Sequence, residues 1–315
     1  MEAGPVVLRT LIQTIAGVRF PLPALIRAMR PKQWAKNVFV FVGVFFDGKL
    51  LHPSKVFTSI LAFVIFCLIS SAIYLINDLA DIEKDRLHPV KKNRPLASGA
   101  LSPRLATVAA VLLFVVSLPA AFVLNPAFGF VTLGYAVLQI AYSFVLKHIV
   151  IIDVMSIAAG FVLRVVAGAM VIEVSRFSPW LYVCATLGAL FIAINKRRNE
   201  LVLLAENANE HRASLQEYNL AFLDNMTSLV TATALTAYSF YTFSAPNLPA
   251  NHAMMLTIPF LIYSIFRYLY LVHSKNLGGA PEDIVLGDKP LLISLMLWAL
   301  TAGIVLYWPV VFPSA

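Results

Sequence analysis

The sequence predicts an all-α, polytopic membrane protein, and three observations predict it. Hydrophobic residues make up 60% of the chain, its mean hydropathy is +0.81 and only 13% of its residues are charged, where a soluble domain carries about a quarter. The apolar residues gather into about nine runs, each near the ~20 residues that a helix needs to cross a bilayer. Finally, 20 of the 24 lysines and arginines fall in connections that share a side with the N-terminus.

The runs lie near 33–47, 57–79, 104–124, 128–146, 150–171, 179–195, 225–244, 253–273 and 289–311. A Lys/Arg bias of this kind marks the cytoplasmic side. The chain is therefore expected in the inner (plasma) membrane, N-terminus inside and C-terminus outside, with its helices bundled around a cavity open to the cytoplasm. Asp47 and Glu173 are the only acids expected outside, which suggests an active surface facing the cytosol. The net charge of +8 then belongs to a face beside anionic lipid headgroups and gives no reason to expect nucleic acid.

In residues 1–30, Arg9, Arg19 and Arg27 interrupt any signal-peptide run. This part is expected to lie as an amphipathic segment at the membrane surface, ahead of a single transmembrane domain over 31–315. Pro31 suits the first turn of a helix continuing through Trp34 and Lys36.

The second run ends in the most informative stretch. On a helix Tyr74, Asn77, Asp78, Asp81 and Asp85 stand at i, i+3, i+4, i+7 and i+11 and share one face. Carboxylates this close repel strongly in a low-dielectric setting, so a cation is expected among them. Oxygen-only donors favour a hard ion, and Mg²⁺ is usually held by one or two carboxylates together with substrate phosphates. Lys91, Lys92 and Arg94 follow at once, and the whole reads as a metal–diphosphate site. The plain alternative is a solvated loop whose acids balance nearby cations; a place at the mouth of a span weighs against it, because ionisable groups there are costly and usually functional.

Between the fourth and fifth runs, Lys147 and Asp153 belong to a short connection near the membrane boundary. Arg164, eleven residues after Asp153, returns to the same helix face about 16 Å deeper at ~1.5 Å per residue. Facing lipid it would cost at least ~2.5 kcal/mol, so a polar cavity is expected, with Arg164 either in an internal ion pair or bidentate on phosphate. The small residues at 158–160 and 167–169 permit close helix packing.

Asn195 to Glu200 ends the sixth run and reads as a positive anchor or a phosphate contact. The following segment, through Glu206, Glu210, His211, Arg212, Glu217 and Tyr218, is long and polar enough to cap the cytoplasmic mouth. Asp288 is an expected N-cap. Cys67 and Cys184 read as packing residues. No phosphate-binding glycine loop or G-x-S-x-G string occurs, so nucleotide hydrolysis and serine chemistry are unsupported.

The N-D-x-x-D-x-x-x-D string at Asn77–Asp85, the K-x-x-R-P-L-x-S-G string at Lys91–Gly99 and the span layout resemble the UbiA-type superfamily of intramembrane prenyltransferases. Four further strings resemble its decaprenyl-phosphate phosphoribosyltransferase branch: Arg30 to Asn37, Tyr142 to Lys147, Phe161 to Gly168 and Lys196 to Leu201. Where aromatic prenyltransferases of the superfamily carry a second aspartate-rich motif, this chain reads Lys196-Arg197-Arg198-Asn199-Glu200, cations suited to a lipid phosphomonoester.

The resemblance implies transfer of phosphoribose from 5-phosphoribosyl diphosphate to a polyprenyl phosphate, with diphosphate released, Mg²⁺ required and a lipid product destined for the cell envelope. It further implies that Asn77, Asp78, Asp81 and Asp85 hold the metal, the three aspartates carrying the catalysis. Lys36, Tyr74, Lys91, Arg94, Tyr142, Lys147, Arg164, Lys196 and Arg197 would bind substrate, with Asp153 orienting Lys147 or Arg164. Membrane lipids are partners, and homo-oligomerisation is left open. The alternatives are prenyl transfer from an isoprenoid diphosphate to an aromatic or other acceptor, and a transporter, which would more often show broken midplane helices and internal repeats.

Overall fold

The structure is a computed structural model that describes residues 22–311 except 88, 175–177, 206–216, 247, 276 and 278–280. Among the described residues it is all helix, with no strand. The α-helices are α1 (Leu22–Met29), α2 (Val42–Phe46), α3 (Pro53–Ala80), α4 (Ile82–Leu87), α5 (Pro103–Leu124) and α6 (Pro126–Phe144). They continue with α7 (Ile152–Val171), α8 (Pro179–Ala205), α9 (Leu220–Ser244), α10 (Ile258–Ser274), α11 (Pro281–Gly287) and α12 (Lys289–Val311).

Seven described helices are long and apolar enough to cross a membrane: α3, α5, α6, α7, α8, α10 with its preceding 3₁₀ turn, and α12. The other two expected runs differ for separate reasons. α9 is long enough but holds Asp224 and eight Ser and Thr. Several of these hydroxyls, among them Thr233, Thr236, Ser239 and Ser244, bond to the carbonyl four residues back, which satisfies them without a partner helix.

The run near 33–47 is not one α-helix. It is a 3₁₀ helix over Pro31–Phe41 that passes into the five-residue α2. At ~2.0 Å per 3₁₀ residue and ~1.5 Å per α residue these two reach about 30 Å, the thickness of a hydrocarbon core. The thin rod fits because α7 gives it room: a Cβ on Gly168 would lie 1.9 Å from the Val40 carbonyl oxygen. The small residues expected to permit close packing do so at this crossing.

α3 is the central helix. Its Ala62, Phe66 and Ile69 are wholly buried against Val40 and Val44 on one side and Phe128 and Tyr135 of α6 on the other. A second core joins α8, α9, α10 and α12 through Phe191, Leu223, Tyr268 and Leu291. α5 instead presents Val108, Val111, Leu112, Val115 and Val116 outward, all more than half exposed, as a lipid-facing helix does. Ser102, Asn125 and Asn219 cap α5, α6 and α9. Asp288 caps α12 as expected, accepting from Leu291 N–H at 2.9 Å.

α1 tucks Ala28 against Leu75 and Leu96 and leaves Leu22 and Ile26 exposed; the rest of the expected interfacial segment, residues 1–21, lies outside the described residues. So do Glu206, Glu210, His211 and Arg212 of the expected cap. Cys67 and Cys184 are free thiols. Between the 3₁₀ rod, α2 and α7 on one side and α8, α9, α10 and α12 on the other lies an apolar cavity of about 350 Å³ walled by Phe39, Phe161, Leu181, Tyr238, Tyr268 and Trp298 among others.

Candidate active site

The expected oxygen face begins on α3, whose α-helix stops at Ala80; Asp81 is its C-cap, its N–H donating to the Asn77 carbonyl at 3.1 Å. The chain restarts as α4, so the face divides. Asp78 and Asp85 turn one way and share Arg94, whose Nη1 lies 3.2 Å from Asp78 Oδ1 and 2.6 Å from Asp85 Oδ2. Asp78 Oδ1 also accepts from Arg30 Nη2 at 2.5 Å. Arg30 sits at φ 55°, with its guanidinium 4.8 Å from the centre of the Tyr74 ring.

Asp81 turns the other way. Both its oxygens accept from Lys147 Nζ, at 3.0 and 2.9 Å. The connector between α6 and α7 carries Lys147 there on a 3₁₀ turn (Leu146–His148) and leaves its side chain only 5% exposed. Three carboxylates thus meet three cations at one end of the bundle. The repulsion read from the sequence is offset by Arg30, Arg94 and Lys147, which come from elsewhere in the chain.

Among the described residues no three His, Cys, Asp or Glu side chains converge closely enough to hold a metal by themselves. The donors nevertheless fit a hard ion that takes its remaining ligands from phosphate and water. They are all oxygen, and Asp78 Oδ2 is buried without a hydrogen-bond partner, an acceptor that a cation would satisfy.

A second cluster lies on the neighbouring helix ends. Asp153, fully buried at the start of α7, receives Arg197 Nε on Oδ2 at 2.6 Å and the Tyr218 hydroxyl on Oδ1 at 2.7 Å. Arg197 also donates to Tyr142 Oη at 2.7 Å and pairs with Glu200. Tyr142, Asp153 and Arg197 are therefore brought together, and Asp153 serves Arg197 where Lys147 or Arg164 had been expected. Burial first, then the bond to Asp153, raises the Tyr218 hydroxyl above the usual phenol range, so it acts as a donor at neutral pH.

Arg164 is buried deeper along α7. Nε donates to Asn37 Oδ1 at 2.8 Å, Nη1 to the Gly160 carbonyl at 2.8 Å and Nη2 to Tyr135 Oη at 2.7 Å. The Tyr135 ring is 4.7 Å away and the Phe161 ring 5.4 Å. These partners are all neutral, so of its two expected roles the internal ion pair has no carboxylate among the described residues. Lys36, Lys91 and Lys196 are part-buried, Lys36 on the 3₁₀ rod, Lys91 beside Arg94 and Lys196 beside Arg197. Arg30 and Asn37 stood within the strings that carried the resemblance, without a role. Tyr135 and Tyr218 had no local signal, since 29 and 65 residues separate them from Arg164 and Asp153.

A family model described as the UbiA prenyltransferase family matches residues 37–283. A decaprenyl-phosphate phosphoribosyltransferase of Mycobacterium tuberculosis is 33% identical over 283 residues, covering 89% of this chain and 93% of the relative. One from Mycolicibacterium smegmatis is 34% identical over 303 residues, covering 90% and 92%. Among solved structures, a UbiA homologue from Archaeoglobus fulgidus bound to GPP and Mg²⁺ superposes with a TM-score of 0.68 at 19% identity, over 90% of this chain and 99% of that one.

Proposed function

Because the chain belongs to the UbiA prenyltransferase family, we propose that this multi-pass membrane enzyme moves 5-phosphoribosyl from 5-phosphoribosyl diphosphate to a polyprenyl phosphate, giving polyprenyl-phosphoryl-5-phosphoribose and diphosphate. The observation that carries the proposal is the meeting of Asp78, Asp81 and Asp85 with Arg30, Arg94 and Lys147 at one mouth of the bundle. Oxygen donors suit a divalent ion and the interleaved cations suit phosphates, so one metal-bound diphosphate matches both sets. The names of the two mycobacterial relatives support the transferred group and the acceptor.

Asn77, Asp78, Asp81 and Asp85 would hold Mg²⁺, which when bound neutralises charge developing on the departing diphosphate. Arg30, Arg94 and Lys147 grip donor phosphates, with Lys36 and Lys91 beside them, and Tyr74 positions the ribose under the Arg30 guanidinium. Arg164, a buried cation with neutral partners, holds a phosphate by its planar fork. Lys196 reaches donor or acceptor phosphate. Arg197 braces Tyr142 and Asp153 around them. An acceptor phosphate oxygen forms the new bond to the anomeric carbon as the bond to diphosphate breaks. That oxygen is already anionic, so no general base is assigned. The apolar cavity, whose Phe161 wall touches Arg164, suits the isoprenoid chain.

In this reading 31–315 is one transmembrane domain preceded by an interfacial segment, with the mouth in the cytosol where a water-soluble donor is available. The second reading, prenyl transfer from an isoprenoid diphosphate, has in its favour the GPP carried by the Archaeoglobus fulgidus homologue. Purified protein supplied with each donor, with and without EDTA, decides between them by mass analysis of the lipid. Phosphoribosylated lipid formed only with divalent metal is expected. Diphosphate released from GPP and none from the phosphoribosyl donor would overturn the proposal.

A further inference from the structure

Ile151 is out of place on backbone grounds. It is β-branched, yet stands at φ 68°, a region that such residues rarely enter because Cβ collides with the backbone. The residue closes the connector between α6 and α7, three residues after the 3₁₀ turn that carries Lys147 to Asp81.

One side chain accounts for the conformation. The Ile151 N–H donates to Tyr218 Oη at 2.7 Å, and the same hydroxyl donates to Asp153 Oδ1 at 2.7 Å. A single atom thus accepts from one side of the turn and donates to the other. Tyr218 can do this because it is 4% exposed, its ring stacked on Phe222 at 6.1 Å and packed in the core of the second half of the bundle. Asp153 is fixed by Arg197, which also holds Tyr142 on α6. Both feet of the connector are therefore fastened, and the Ile151 turn is fastened by a residue that enters from the start of α9, far away in sequence.

We infer that Tyr218 is a positioning residue for the transfer reaction: its hydroxyl latches the Ile151 turn and so keeps Lys147 aimed at Asp81. The latch rests on the proposed role of Lys147 as a donor-phosphate ligand, but it is a geometric claim that needs no substrate to test. It makes Tyr218, two residues ahead of α9, part of the donor site without touching donor.

The test is the rate of reductive methylation of Lys147 in the purified full chain, read by peptide mass spectrometry, together with donor KM and kcat. Tyr218→Phe keeps the ring and removes both hydrogen bonds. Lys147 methylation should rise about tenfold and donor KM about tenfold with kcat within about threefold, the scale set by losing one hydrogen bond to a charged group. Glycine reaches φ 68° freely, so adding Ile151→Gly to Tyr218→Phe should return methylation most of the way to wild type. Unchanged Lys147 methylation in a folded Tyr218→Phe protein overturns the latch, as does a double variant no slower than the single one. If Tyr218→Phe does not fold, hydrogen exchange of the Ile151 amide in the wild-type chain serves: strong protection supports the latch and exchange at the rate of a free amide overturns it. A chain that shows the methylation change but transfers no phosphoribosyl group overturns only the reading of the reaction.

Discussion

Arg164 and Arg197 are both buried arginines on spanning helices, and their surroundings make different predictions. Arg197 faces Asp153 and Glu200, so Arg197→Met leaves buried charge unpaired and should destabilise the fold by about 3–5 kcal/mol. Arg164 faces only Asn37, Tyr135 and a carbonyl. Arg164→Met removes the donor from neutral acceptors only and should cost about 1–3 kcal/mol, less than Arg197→Met, while phosphate-donor turnover falls at least about a hundredfold. A melting point that drops as far as that of Arg197→Met would show Arg164 to be structural. At the proposed metal site the same contrast applies to a pair. Asp81→Asn should abolish Mg²⁺-dependent diphosphate release, and Lys147→Ala should chiefly raise donor KM; an Asp81→Asn enzyme with near-normal activity removes Asp81 from the site.

At the scale of an element, the 3₁₀ rod and α7 are held apart by almost nothing. A Cβ at Gly168 would meet the Val40 carbonyl at 1.9 Å, whereas one at Gly134 would meet nothing within 4 Å. Gly168→Ala should therefore cost about 1–3 kcal/mol by overpacking, and Gly134→Ala should not lower the melting temperature. The α12 N-terminus gives a pH prediction. The hydrogen bond from Arg267, above all, lowers the Asp288 pKa below its ordinary value of 3.8. A depressed carboxylate pKa contributes stability that is complete above the unfolded value and fades as pH falls through the folded one. Protection of the Leu291 and Leu292 amides, measured against their free exchange rates, should thus persist to below pH 3.8 and be lost only in stronger acid. Loss of protection already near pH 6 would point to another group.

For the whole molecule, the polar clusters collect at one end of the bundle, where α3, α6 and α8 finish and α7 and α9 begin. The charge bias read from the sequence motivates the proposal that this end faces the cytosol. Single cysteines placed at Lys275 and Lys49, on a background with Cys67 and Cys184 replaced, test the assignment. A membrane-impermeant thiol reagent added to whole cells should label the cysteine at position 49 and spare that at 275. The reverse pattern would put the site on the wrong side for a cytosolic sugar donor.

The sequence by itself determined the membrane class and the family, and it drew attention to the acidic string at Asn77–Asp85, though not to Arg30, which pairs with Asp78. Those depend on local properties: apolar run length, charge bias across the bilayer, and strings of polar residues that a span mouth tolerates only for a purpose. The small residues at 167–169 allowed close packing, but that the partner is the Val40 carbonyl came from the structure. Which cation meets which carboxylate was decided by tertiary structure alone. Arg30 reaches Asp78 across 48 positions, Lys147 reaches Asp81 across 66 and Tyr218 reaches Asp153 across 65, and no local periodicity encodes such pairings. The 3₁₀ form of the rod was equally hidden, since hydropathy measures how apolar a run is and not how tightly it is wound; only the structure shows the rod lying so close to α7 that the Val40 carbonyl takes the space a Cβ at Gly168 would fill.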